Sequence, residues 1–155
     1  MRRWLFQTDG SVTGLILRLT LAVVLFPHGA QKVLGWFGGP GFSRTVQFFT
    51  QRQGIPVVFA LLAMAAEFLG PLGLAVGLLT RVAAFGIACE MLVIIATVHW
   101  PNSFFMNWSG TQAGEGFEYH LLVVGIAIAL VVRGAGAWPV DGVLAGTGAR
   151  ETSRR

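Results

Sequence analysis

The sequence predicts an all-α membrane protein, built as a bundle of four transmembrane helices with both termini in the cytoplasm. Hydrophobic residues make up 54% of the 155 residues and charged residues 12%, whereas soluble domains average about 45–50% and about 25%. Four stretches approach the ~20 apolar residues that a helix needs to cross ~30 Å of hydrocarbon. The arginines fall unequally on the two sides that alternating helices define. We therefore expect one membrane domain over residues 1–142 and a basic, flexible C-terminal tail over 143–155.

The apolar stretches set the positions of the four predicted helices. They cover about residues 12–34, 56–79, 82–100 and 117–133. Polar or turn-forming segments separate them: a Gly- and Pro-rich segment over 35–55, the short Thr80-Arg81 turn, and an Asn-, Gly- and Ser-rich segment over 101–116. Each break is polar enough to lie outside the hydrocarbon.

The first helix follows Met1-Arg2-Arg3, a charge pattern that also begins secretory signal peptides. Its apolar stretch is too long for a signal peptide, contains Arg18 and lacks a clear small-x-small cleavage site. We therefore expect a helix that is retained in the membrane.

The distribution of basic residues predicts the orientation. If the helices alternate in direction, one side holds most of the cations: Arg2, Arg3, Arg81, Arg133, Arg150, Arg154 and Arg155. The other side has Lys32, Arg44 and Arg52. Because positive loops favour the cytoplasm, both termini are expected inside, and the chain is expected to be a multi-pass protein of a bacterial inner membrane. Tyr119 then belongs to an aromatic belt at the outer interface.

The sequence lacks the motifs that are typical of several classes of protein function. The net charge of +4 is explained by topology, so no nucleic-acid partner is expected. Cys89 is the single cysteine and lies in an apolar stretch, so we expect an inert, buried thiol and no intrachain disulfide. The sequence contains no nucleotide-binding glycine loop, CxxC pair, HExxH helix or GxSxG turn.

Three charged residues lie within predicted helices: Arg18, Glu67 and Glu90. They must face the bundle interior, because an intramembrane charge is costly unless it is paired or faces water. At 1.5 Å per residue, Arg18 and Glu90 lie roughly 9 and 12 Å from the inner ends of their helices, so a pair between them is geometrically allowed. Glu67 lies roughly 16 Å from the outer end and is the acid expected to be protonated.

Glu67 is also placed beside a helix irregularity. Pro71 follows it by four residues, removes the amide that would bond to the Glu67 carbonyl, and should kink the helix. Gly70, Gly73 and Gly77 permit close approach of a neighbouring helix or of a flat ligand. Two interpretations stay open: Glu67 exchanges protons beside a ligand, or Glu67 only bonds across helices while the glycines only pack.

The three histidines, His28, His99 and His120, lie on three helices at similar depths near the outer side. They could relay protons, bind a metal with Glu118 as a partner, hold a polar ligand group such as a quinone carbonyl, or bond only to interfacial water. No metal site is assigned. His28 and Lys32 are four residues apart and share a helix face, although Lys32 alone could simply extend to the membrane surface.

Taken together, these segments resemble the DoxX family of small bacterial membrane proteins. The matching stretches are Leu17-Arg18-Leu19, Phe26 to Lys32, Glu67 to Gly70, Gly77 to Arg81, His99 to Phe105, Asn107-Trp108, Glu118-Tyr119-His120 and Gly134-Ala135-Gly136. The resemblance implies a four-helix inner-membrane protein, related in fold to the small subunit of thiosulfate–quinone oxidoreductases and more distantly to a lipid-handling superfamily. It also implies a link to oxidative stress and thiol metabolism, with soluble redox enzymes as partners.

The leading hypothesis is a membrane component of a redox system that binds a quinone or a similar lipophilic molecule. Glu67 or His28 would exchange protons, and the ligand contacts would come from Arg18, Lys32, Gly70, Glu90, His99, Glu118 and His120. Because no electron-carrying motif is visible, the chain would act as a subunit or docking partner of a soluble redox enzyme, and whether it is itself catalytic stays open. The alternatives are a non-redox binder or transporter of lipids or small hydrophobic molecules, and a membrane scaffold. Gly73 and Gly77 would suit a homo-oligomer interface, and they would equally suit packing within the bundle.

Overall fold

A computed structural model describes residues 2–7 and 9–142, and every regular element in that part of the chain is helical. In chain order the helices are α1 (Arg2–Phe6), α2 (Val12–Leu34), α3 (Gly41–Gln47), α4 (Val57–Val76), α5 (Thr80–Ile94) and α6 (Glu118–Arg133). A π-helical turn over Phe48–Arg52 follows α3, and α5 continues through a π-helical turn (Ile95–His99) and a 3-10 turn (Trp100–Asn102). The predicted tail over 143–155 lies outside the described residues.

Within the described residues, three helices are long and apolar enough to cross a membrane: Val12–Leu34, Val57–Val76 and Thr80–Asn102. The second is shorter than predicted because Gly77 takes a left-handed conformation (φ 70°) and ends it. The third begins at Thr80 instead of residue 82 and runs two residues past 100. The fourth predicted segment is the 16-residue α6, which begins at Glu118 instead of residue 117.

Neighbouring helices run antiparallel and enclose an apolar core. The start of α2 contacts the end of α4, and the start of α5 contacts the end of α6. Leu21, Leu25, Leu74, Ile87 and Leu130 are almost completely buried between them. We refer to the end of the bundle where α2 and α5 begin as the clasp end, and to the opposite end as the loop end.

The outward surface of the helices is also apolar. Val23, Leu62, Leu69 and Phe85 are each at least 60% exposed, as expected for side chains that face lipid tails instead of water. Cys89 lies on this outer surface, so the expectation of a buried thiol is wrong. An apolar run fixes the depth of a residue in the membrane but does not fix the side of the helix on which it lies.

Three buried charged residues, Arg18, Arg81 and Asp141, join the elements at the clasp end, and we call them the clasp. Arg18 is only 2% exposed. Its guanidinium donates to four main-chain carbonyls at 3.0 to 3.3 Å, those of Leu74, Ala75, Ala137 and Trp138. Arg18 therefore binds the end of α4 to the segment after α6, and the pair with Glu90 that its depth allowed does not form.

The other two clasp residues hold the start of α5. Asp141 accepts hydrogen bonds from the amides of Leu79 and Thr80 at 2.7 and 2.9 Å, which caps the first turn of the helix. Arg81 is buried and donates to the Val132 carbonyl at 2.8 Å, near the end of α6. Arg81 thus lies in the first turn of α5, although the sequence placed it in an aqueous turn.

The segment before α2 is also attached at this end. Arg133 donates to the Asp9 carboxylate at 2.8 Å through Nε. Hydrogen bonds from the Ser11 amide and hydroxyl stabilise the charged Asp9 carboxylate and hold its pKa below the usual value. Arg133 makes a smaller contribution in the same direction. Asp9 is therefore an anion at neutral pH and ties the start of α2 to the end of α6.

The close approach of α2 and α4 depends on Gly29. A β-carbon at this position would lie 2.7 Å from the Cα of Phe68 and 2.6 Å from the carbonyl carbon of Glu67. Pro71 deprives that carbonyl of its helical amide partner, yet α4 continues through Pro71 as one helix. Gly70 makes the corresponding contact with α5, where a β-carbon would lie 3.3 Å from Ile87.

Gly29→Ala is expected to lower the free energy of unfolding by about 1–3 kcal/mol, because the added methyl group meets backbone atoms that cannot rotate away. Thermal unfolding followed by circular dichroism in detergent measures the change. Gly125→Ala is the matched control, since a β-carbon at Gly125 meets nothing within 4 Å. Equal unfolding temperatures for the two variants would contradict the α2–α4 packing.

Candidate functional site

Polar side chains form a column that extends from the middle of the bundle to the loop end. Its members are Lys32 on α2, Glu67 on α4, Glu90 on α5, His99 on the continuation of α5, and Tyr119 and His120 on α6. Glu90 and His99 are nine residues apart on one continuous helix, which corresponds to roughly 13 Å. We call this set the polar column.

The column contains a partly buried ion pair between Lys32 and Glu67. Glu67 is 4% exposed, while the Lys32 side chain is 27% exposed and reaches the carboxylate from the loop end. Lys32 thus extends inward to Glu67, and Glu67 has a cationic partner. Counting residues along each helix does not predict this partner for Glu67.

Glu90 is the acid that lacks a cationic partner. It is 7% exposed, and its Oε2 atom is buried without a hydrogen-bond partner among the described residues. Its carboxyl group lies within electrostatic reach of both Glu67 and Lys32. A buried oxygen that makes no hydrogen bond costs about 1–3 kcal/mol, so Glu90 is a position where a ligand or a water molecule would be stabilised.

Two groups on α6 continue the column toward the loop end. The Tyr119 hydroxyl and the His120 Nδ1 atom are buried, and neither has a hydrogen-bond partner among the described residues. Tyr119 lies within electrostatic reach of Glu67. The sequence placed Tyr119 at the outer membrane interface, but its hydroxyl points inside the bundle. Periodicity could not reveal this, because both orientations suit a tyrosine near a helix end.

His99 and His120 form a contact at the loop end, with ring centroids 4.3 Å apart and planes inclined by 38°. The Nδ1 atom of His99 is 2.7 Å from the Glu115 carbonyl oxygen. A carbonyl only accepts hydrogen bonds, so Nδ1 carries the hydrogen and Nε2 is the accepting atom of the neutral ring. The histidine pair thus connects the segment before α6 with the interior of the column.

Glu118 holds the loop over 103–117 through hydrogen bonds to its main chain. Its Oε1 accepts from the Met106 amide at 2.9 Å, and its own amide donates to the Phe104 carbonyl at 2.9 Å. Glu115 similarly accepts from the Asn107 amide at 2.8 Å. The predicted role of Glu118 as a ligand contact therefore lacks geometric support, because its carboxylate is engaged by backbone.

His28 lies outside the column at its edge. Its side chain is exposed, although it is within electrostatic reach of His120. The three histidines therefore do not converge on one point, and among the described residues no group of three or more His, Cys, Asp or Glu side chains is arranged to hold a metal ion. Arg18 lies even farther away, since it precedes Lys32 by 14 residues, or roughly 21 Å along α2.

An apolar groove runs beside the column between α4 and α5, with a volume of about 1050 Å³. Glu90 contributes to its wall, and Gly70 and Gly86 widen it because they have no side chains. Its lining residues Leu62 and Phe85 are exposed, so the groove opens on the lipid-facing surface. The groove is large enough for a drug-sized molecule, for which ~300–1,000 Å³ is usual.

Comparison with known proteins shows similarity to one family. A family model described as DoxX matches residues 13–100, which include Lys32, Glu67, Glu90 and His99. A protein of Bacillus subtilis (strain 168) named "Putative oxidoreductase CatD" is 31% identical over 116 residues, covering 75% of this chain and 76% of the relative. No solved structure matches the chain.

Proposed function

Because the chain belongs to the DoxX family, we propose that it is a membrane component of a redox system and binds a quinone or a similar lipophilic molecule in the groove beside Glu90. The observation that supports this best is the unsatisfied Glu90 carboxyl group at the wall of an apolar, lipid-facing groove. A quinone ring is flat and apolar, and its oxygens need hydrogen-bond donors. The name of the Bacillus relative is consistent with redox chemistry.

The proposal includes a topology of four membrane crossings with both termini in the cytoplasm. The fourth crossing would be α6, which has 16 residues, or roughly 24 Å of helix. It runs antiparallel to α5 from the loop end, and the bond from Arg81 to Val132 brings its last turn to the clasp end. The arginine-rich clasp end would then face the cytoplasm of a bacterial inner membrane.

The polar column provides a route for protons to the groove. Reduction of a quinone to a quinol takes two electrons and two protons. We propose that protons pass from the loop end through His99 and His120 to Glu67 and Glu90, with His28 at the exposed entrance. The electrons would come from a soluble redox enzyme docked on the chain. Glu67 then acts within its pair with Lys32, and Glu90 contacts the ligand.

A second candidate is a non-redox binder or transporter of lipids or small hydrophobic molecules. The lateral opening of the groove favours it, because a lipid could enter from the bilayer without leaving the apolar phase. The two candidates differ in what the groove holds. A redox component retains a quinone, whereas a lipid carrier retains acyl chains and is insensitive to the redox state of added quinones.

Glu90→Leu and Gly86→Leu are each expected to lower the quinone that co-purifies in mild detergent about tenfold, which for Glu90→Leu corresponds to the loss of ~1.4 kcal/mol, or about one hydrogen bond. The first variant removes the polar contact, and the second fills the groove. Mass spectrometry of an organic extract, expressed per mole of protein, measures the quinone. Leu122→Ala is the control, since Leu122 is 69% exposed on the outer surface of α6.

Stability separates ligand loss from misfolding in this experiment. Glu90→Leu should unfold at the same temperature as the wild type or higher, because it removes a buried acid with an unsatisfied oxygen. A quinone content that is unchanged in both variants, or a wild type that retains only phospholipid, would reject the quinone site.

A further inference from the structure

A second cavity of about 730 Å³ lies at the loop end, between the end of α2, α3 and the end of α5. Four of its lining residues are basic: Lys32, Arg44, Arg52 and His99. Among the described residues that line it, none is acidic. We call this cavity the basic pocket. Its electrostatic character therefore differs from that of the apolar groove.

The cations of the basic pocket are mostly uncompensated. Lys32 is paired with Glu67, but Arg44 and Arg52 are exposed and form no ion pair among the described residues. Thr45 is buried where α3 meets α2, and its hydroxyl lies 2.8 Å from the Gly41 carbonyl oxygen and 3.1 Å from the Lys32 carbonyl oxygen. The backbone that carries Arg44 is thus fixed beside Lys32, and both arginines are available for an anion.

The basic pocket is continuous with the groove. Phe48, Phe49, Ile94 and Val98 line both cavities. On α4 the groove lining extends from Phe59 to Val76, which spans roughly 26 Å. One leaflet of the hydrocarbon is about 15 Å thick, so an acyl chain that enters from the basic pocket would end near the depth of Glu90, which lies roughly 13 Å from His99. The part of the groove from Glu90 to the clasp end, along Gly70 and Gly86, stays open to another ligand.

We propose that the basic pocket binds the phosphate of an anionic phospholipid, whose acyl chain lies against Phe48, Phe49 and Val98. Guanidinium groups match phosphate oxygens in charge and geometry. The pocket lies where α2 and the continuation of α5 end, at the level expected of lipid headgroups. An uncharged quinone would leave Arg44 and Arg52 without a partner, so this lipid site is distinct from the proposed quinone site.

The test measures binding of fluorescent phosphatidylglycerol to the full-length protein in detergent. Arg44→Gln and Arg52→Gln are each expected to weaken binding about tenfold and to reduce its dependence on salt concentration. Arg133→Gln removes the same charge at the clasp end and should bind as the wild type does. Unlabelled phosphatidylglycerol should compete, while phosphatidylcholine, oleate and inorganic phosphate should compete at least tenfold less well.

Several outcomes would overturn the lipid site. One is equal binding by Arg44→Gln, Arg52→Gln and Arg133→Gln. Another is competition by inorganic phosphate as effective as that by phosphatidylglycerol, which would indicate a free-anion site. A third is equal competition by phosphatidylcholine. Quinone content measured in the same samples distinguishes the lipid site from the quinone site. Arg44→Gln should retain quinone, and Glu90→Leu should retain phosphatidylglycerol.

Discussion

Replacing Arg18 with methionine is expected to lower the free energy of unfolding by about 3 kcal/mol or more. Methionine replaces the aliphatic stem of arginine, is shorter than the full side chain, and removes every donor. The four carbonyls that Arg18 binds belong to two separate chain segments. Their bonds to a buried cation are charge-assisted, and the bond to the Leu74 carbonyl is itself buried, so water does not readily replace it.

Thermal unfolding in detergent, together with the yield of folded protein in the membrane, measures this loss. Arg133→Met is the matched control, because Arg133 is also at the clasp end but its side chain is 53% exposed. Arg18→Lys should be intermediate, since an ammonium group cannot reach two pairs of carbonyls at once. Equal stability of Arg18→Met and Arg133→Met would show that the clasp contributes little.

Lys32→Met is expected to destabilise the bundle by about 3–5 kcal/mol, because it leaves the buried Glu67 carboxylate without a compensating charge. Glu67→Gln should have a smaller effect. The Lys32 side chain is 27% exposed, so its ammonium group can extend to the loop end when its partner is neutral. Loss of Lys32 is therefore expected to lower the free energy of unfolding more than loss of the Glu67 charge does.

A double-mutant cycle measures this asymmetry through the free energies of unfolding of the wild type, Lys32→Met, Glu67→Gln and the combined variant. The combined variant should be more stable than Lys32→Met alone, since no buried charge remains unpaired. Simple additivity of the two single effects would mean that the side chains do not interact in the membrane.

The sequence predicted the positions of the helices well because length and apolar character decide where a chain can cross a bilayer. It also predicted that Arg18, Glu67 and Glu90 face the interior, which their burial confirms. Their partners could not be predicted in the same way. Depth along a helix follows from residue counting, whereas the direction around the helix depends on how the helices rotate and pack.

The clasp shows this limit. Arg18 and Glu90 lie at compatible depths, yet Arg18 binds carbonyls, two of which, Ala137 and Trp138, lie after the end of α6. Residue counting gives no position for such a segment. The sequence alone assigns no role to Asp141, which follows the last predicted helix, but in the fold it caps α5. A buried aspartate accepting two amide bonds is recognisable only when the two distant segments are seen together.

The polar column shows a second limit. Residue counting places His99 and His120 at a similar depth, and their rings are in contact. It places His28 at the same depth, but the side chain of His28 is exposed. For Lys32 alone, extension to the membrane surface is a sufficient interpretation of the sequence, whereas in the structure its side chain contacts Glu67 on α4.

Photoaffinity labelling with an azido-quinone tests the central claim most directly, because it reports where a quinone lies in the folded protein. Peptide mass spectrometry after illumination should find the label on α5 near Gly86 and Glu90 and on α4 near Gly70. Excess unlabelled quinone should suppress it, and Glu90→Leu should carry about tenfold less, the loss expected for about one hydrogen bond. Label that is scattered over Val23, Leu122 and other lipid-facing residues, and that excess quinone does not suppress, would contradict a quinone site in the groove.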